Sequence, residues 1–65
     1  MDPKEIFELI IKADEKLKYA TDANAALRRE QAQALLERAR DAARDIGNEA
    51  LVQQAVTRLA DLDAG

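Results

Sequence analysis

The chain has no cysteine, histidine, tryptophan or serine, and only one proline, two glycines and two aromatic residues, Phe7 and Tyr19, among its 65 positions. Each absence removes a class of protein. Without cysteine there is no disulfide framework and no thiolate metal site. Without histidine the commonest metal ligand and neutral-pH base is gone. A chain of this length sits near the lower limit for independent folding. Its stability must then come from regular helix packing or from association. The charge balance is 10 basic against 13 acidic residues, net −3. That leaves no basic surplus for nucleic acid, and two aromatics are too few to serve as stacking platforms for single strands. No apolar run approaches the roughly 18 residues of a membrane span. "MDPKEIFELII" carries acids where a signal peptide carries a basic region. The expectation is a soluble chain with no export signal, cytoplasmic if made in a cell.

What is present is helix-forming and evenly charged. All four lysines (Lys4, Lys12, Lys16, Lys18) precede residue 20 and all six arginines (Arg28, Arg29, Arg38, Arg40, Arg44, Arg58) follow it. Acids accompany both sets, so no segment forms an electrostatic arm.

The first helix declares its start. Asp2 and Glu5 are spaced for a capping box around Pro3 at the first helical position. Apolar residues then recur at 6, 10, 13, 17 and 20, with Leu9 on the same face, the spacing of one helical stripe. Glu8–Lys12 and Asp14–Lys18 are i,i+4 pairs in the favourable order. In "ATDANAA" the pattern breaks, and Thr21 or Asp22 is the expected cap of the second helix. Ala32, Leu35, Leu36, Ala39, Ala42, Ala43 and Ile46 then mark its core face. Its alanines allow close approach of neighbouring helices. "DIGNEAL" ends that helix at Gly47, which suits a left-handed terminal residue, and restarts at Asn48 as N-cap. The third helix carries Leu51, Val52, Ala55, Val56, Leu59 and Leu62 on one broad face, and "DAG" reads as a frayed end. The expected fold is all-α: an up-down-up antiparallel three-helix bundle, one domain over 1–65, with helices at about 3–20, 23–46 and 49–62.

"KEIFELIIK" holds more large apolar side chains than a sealing helix requires. Projected at about 100° per residue, the stripe from Leu9 to Ile10 covers an arc of roughly 100°. Phe7 and Ile11 lie beyond Ile10, on a ridge that continues through Asp14 and Lys18. Two readings follow. Phe7 fills the open end of the bundle, or Phe7 and Ile11 protrude as anchors for a protein partner, with Ile10 at the boundary and Asp14 and Lys18 as rim. Leu27 with Ala34 forms a weaker off-stripe pair, for which the favoured reading is that Leu27 staples the first turn against the end of helix one. Tyr19 suits either a binding surface or the loop at Thr21.

Catalytic machinery is not expected. Thr21, Thr57, Tyr19 and the lysines have no matched base in the pattern. Glu37–Asp41 and Asp41–Asp45 could hold a hard cation, but Arg38, Arg40 and Arg44 interleave with them, which favours a solvated salt-bridge lattice. A bundle this small is expected to have no pocket of several hundred Å³. No enzyme activity and no cofactor are inferred.

"DPKE" as an opening cap, three helices of near-equal weight and "GNEAL" as a two-residue junction together resemble de novo designed three-helix mini-proteins. That resemblance implies a small scaffold, most often a binder to a chosen protein. "ALLERARDAARDIGNEALVQQAVTRLADL" (34–62) is similar to a helix of a tetratricopeptide repeat joined to the next, without the Gly and Tyr three residues apart that such repeats carry. It too implies protein binding. The sequence therefore points to a protein-binding module presenting helix one, with Phe7, Ile10, Ile11, Asp14 and Lys18 as candidate contact residues. The other class is a structural bundle, stand-alone or a homo-oligomer, with no ligand of its own.

Overall fold

A computed structural model describes residues 1–64. The chain forms three helices, α1 (Pro3–Lys18), α2 (Ala25–Asp45) and α3 (Glu49–Ala64), packed as an all-α up-down-up bundle. The first begins as its sequence dictates. The Glu5 amide donates to the Asp2 carboxylate at 2.8 Å, and the Asp2 amide donates to the Glu5 carboxylate at 3.3 Å, so two amides that a helix start leaves bare are satisfied.

Both loops have local causes. At the α2–α3 junction Gly47 takes φ +68°. Its amide donates to the Arg44 carbonyl, and the Asn48 amide donates to the Ala43 carbonyl at 2.9 Å. These paired bonds are the Schellman closure. Asn48 then turns round: its side-chain oxygen accepts from the Leu51 amide at 3.1 Å, so one residue closes α2 and caps α3. The α1–α2 loop departs from expectation. Neither Thr21 nor Asp22 caps α2. They sit in a turn closed by the Asn24 amide on the Thr21 carbonyl, and Asn24 takes the N-cap position. Its side chain points back to accept from the Thr21 amide, leaving α2 without a side-chain cap. With no glycine or proline to stop it sharply, α1 ends at Lys18 and Tyr19 takes the C-cap. At the other end Asp63 and Ala64 continue α3 rather than fraying; Gly65 lies outside the described residues.

The core is built from Ile6, Leu9, Ile10 and Ala13 of α1, Ala32, Leu36, Ala39 and Ala43 of α2, and Leu51, Val52 and Ala55 of α3. Three of the four buried residues of α2 are alanine, so α1 and α3 both lie close against it. They meet each other only narrowly, and the molecule is flattened, 37 × 21 × 13 Å. Ile46, expected on the core face, is instead exposed. It is the C-cap of α2, with φ −97° and ψ 4°. The chain leaves the helix there, at the end of the bundle, and the side chain is only partly covered.

Chain direction is also read from side chains. Arg29, near the start of α2, donates to the Leu62 carbonyl near the end of α3, as antiparallel neighbours must. Arg58 of α3 meets Asp14 of α1 at 2.9 Å, both in the later part of parallel helices. Among the described residues, no helix is long and apolar enough to cross a membrane.

Candidate functional site: the exposed edge of α1

Alternation along α1 decides where each candidate lies. Ile6 and Ile10 are fully buried, while Phe7 and Ile11, one residue further on in each case, are 43% and 39% exposed. One step along a helix is about 100° of rotation, enough to carry a side chain from the core to the surface. Phe7 and Ile11 are four residues apart and share a ridge. They form a pair of large apolar groups open to solvent on a capped helix.

Ile10 does not belong to this surface. With no exposure it touches only the interior, and its assignment as a contact residue is corrected: it lies across the edge of the stripe, on the α2–α3 side. Asp14 is partly exposed, but its partner is not Lys18. The Arg58 Nε lies 2.9 Å from one Asp14 carboxylate oxygen and 3.2 Å from the other, and an Arg58 terminal nitrogen also donates to the Gln54 carbonyl at 3.2 Å. Either cation would make a charge-assisted bond; the guanidinium differs in reaching both carboxylate oxygens while a second nitrogen is braced on the Gln54 carbonyl of α3. Lys18 instead places its ammonium 5.5 Å from the centre of the Tyr19 ring. Arg58 was not legible as a rim residue. Forty-four positions separate it from Asp14, and only packing brings them together.

This contact also orients α1. The flank bearing Asp14, Phe7, Ile11 and Lys18 is the one turned toward α3. Because α1 and α3 meet narrowly, that flank is left open. The opposite flank faces α2 across an open groove of about 360 Å³ lined by Lys12, Glu15, Lys16, Tyr19, Arg28 and Leu35. The expectation that the bundle has no such space is therefore corrected. The groove is superficial and open to solvent, bordered by side chains of α1, Tyr19 and α2.

The remaining candidates separate cleanly. Leu27 is 56% exposed and Ala34 is exposed as well, so Leu27 does not staple the turn. The lattice expected among Glu37, Arg38, Arg40, Asp41, Arg44 and Asp45 reduces to one ion pair, Arg40–Asp41 at 3.0 Å. Side chains this exposed gain little by pairing. Glu8–Lys12 is not an ion pair either. Among the described residues no cluster of acids is arranged to hold a metal.

No protein-family model, curated protein or solved structure matches the chain.

The edge can offer shape and apolar contact. Phe7 and Ile11 place two large, partly exposed apolar side chains at i and i+4. Lys18 and the Asp14–Arg58 pair supply a polar border of both signs. Helix-in-groove recognition uses this arrangement.

Proposed function

We propose that this chain is a small protein-binding module that presents α1 to a groove on another protein. The observation that carries the proposal is the exposed Phe7–Ile11 pair beside the fully buried Ile6 and Ile10. Neither side chain belongs to the buried core, and leaving so much of both in water is unfavourable unless a partner covers them. The anchors are Phe7 and Ile11, and the rim is Lys18 with Asp14 held by Arg58. Binding works by pre-ordering. The capping box and the packed stripe already hold α1 in its docking conformation, so little conformational entropy remains to be lost on association. A designed origin accords with the regularity of the capping box and of the two-residue α2–α3 junction.

The test compares the parent with Phe7→Ala and Ile11→Asp in thermal unfolding, sedimentation and capture of partners. A monomer is expected, with each variant losing about 1–2 kcal/mol of stability because its side chain is partly covered, less than a core truncation costs, and with a specific partner held by the parent and lost by both. Truncating an anchor costs about 2 kcal/mol or more of binding, roughly a 30-fold loss of affinity. If both variants retain every captured protein, the edge is not the binding surface. A melting temperature that rises with protein concentration in the parent alone identifies a second copy as the occupant, and the structural class replaces this one.

A further inference from the structure

The groove between α1 and α2 lies on the flank of α1 opposite Phe7 and Ile11, and the protein-binding reading makes no use of it. Its lining has three cations, Lys12, Lys16 and Arg28, against one carboxylate, Glu15, in a chain of net charge −3. Among the described residues none of the three cations forms an ion pair. Lys16 lies in the last turn of α1, where the helix dipole favours a cation, but the fold has no such use for Arg28. Arg28 lies in the first turn of α2, where the helix dipole is already positive and a cation is unfavourable. That turn has no acidic residue, and the side chain of its N-cap makes no bond to an α2 amide. By contrast, α1 and α3 each have an acid in the first turn. The rest of the lining is Leu35 and Tyr19, which give the groove apolar surface. The groove, about 360 Å³, is open to solvent, so it has room for a small molecule but covers it only in part.

We infer that this groove binds a small amphipathic anion, a single carboxylate on an aromatic or short alkyl body. The carboxylate sits between Lys16 and Arg28, where a guanidinium can hold both oxygens. The body lies on Leu35 and Tyr19. Glu15 and the negative charge of the whole chain disfavour a polyanion, and the apolar floor disfavours a bare inorganic ion. The occupant is therefore a singly charged organic acid.

The probe is 4-ethylbenzoate, titrated into the isotopically labelled full chain and followed by amide chemical shifts, with 4-ethylbenzamide as the uncharged match. A ligand of this size on a shallow site should bind with a dissociation constant of about 1–5 mM. Saturable shifts are expected at Lys12 to Tyr19 and Arg28 to Leu35 and not around Phe7. The amide, and the double variant Lys16→Gln/Arg28→Gln, should each weaken binding about tenfold, the worth of a charge-assisted hydrogen bond. Raising sodium chloride from about 20 to 300 mM should weaken the parent several-fold. That arm decides the matter even if the double variant does not fold. The inference is overturned by no saturable shift up to about 20 mM probe, well above that range. Equal binding of the amide, salt-independent binding, a folded double variant that binds as the parent does, or shifts centred on Phe7 and Ile11 would each overturn it as well.

Discussion

Ile10 and Ile11 are the same residue at adjacent positions of one helix, which makes them a controlled comparison. Ile→Ala removes three carbons at either site and changes helix propensity equally, a gain of about 0.4 kcal/mol, so the difference between the variants reports burial. Ile10 has no exposure. The lost transfer energy is about 0.8 kcal/mol per carbon, or about 2.4 kcal/mol. Incomplete collapse of the surrounding core adds a cavity term, and the total falls in the 2–5 kcal/mol range of such truncations. Ile11 is 39% exposed. Its transfer loss is at most about 1.5 kcal/mol, and water fills the vacated space without a cavity. After the propensity gain the net cost is about 1 kcal/mol. The gap between the variants is then about 2 kcal/mol. At 4–8 °C per kcal/mol for a domain of this size, they should melt roughly 8–16 °C apart, with Ile10→Ala the lower. Far-ultraviolet circular dichroism at two well-separated protein concentrations measures it. Melting temperatures within about 3 °C of each other, a gap well under 1 kcal/mol, would refute the placement of the two side chains. So would the reverse order, and if the Ile11 effect grew with concentration, a second copy covering that residue would be the cause.

Other outcomes follow from the loops and the rim. Nothing lies within 4 Å of a Cβ built on Gly47, so Gly47→Ala should cost only its left-handed backbone, about 1–2 kcal/mol. Gly47→Asn should cost less, since asparagine tolerates that conformation; an alanine variant as stable as the parent would show that the Schellman closure does not persist in solution. Asp14→Asn breaks a pair whose side chains are both partly exposed and should lower stability by about 0.2–1 kcal/mol, less at high salt. A double-mutant cycle with Arg58→Gln isolates the pair, and zero coupling at low salt would mean that it does not bridge α1 and α3.

The sequence alone determined the number of helices, the start of α1 and the α2–α3 junction. Those features rest on hydrogen bonds spanning three to five residues, as Asp2 with Glu5 and Gly47 with Arg44 illustrate, and on a stripe whose period is set by helix geometry. It also singled out Phe7 and Ile11, because an edge position on a helical projection does not depend on the neighbours. It did not locate the start of α2, where Asn24 bonds backward to Thr21. It also placed Ile46 on a core face that stops short of the bundle's end. Whether Phe7 and Ile11 were covered, why Asp14 left Lys18 for Arg58, and how Lys12, Lys16 and Arg28 came to line one groove were decided by the tertiary structure alone. Each depends on which flank of α1 the third helix takes. The same apolar stripes can pack with α3 on either side of the α1–α2 pair. Local hydrogen bonding and burial periodicity do not distinguish those two hands, whereas the exposed surface and its charges differ completely between them.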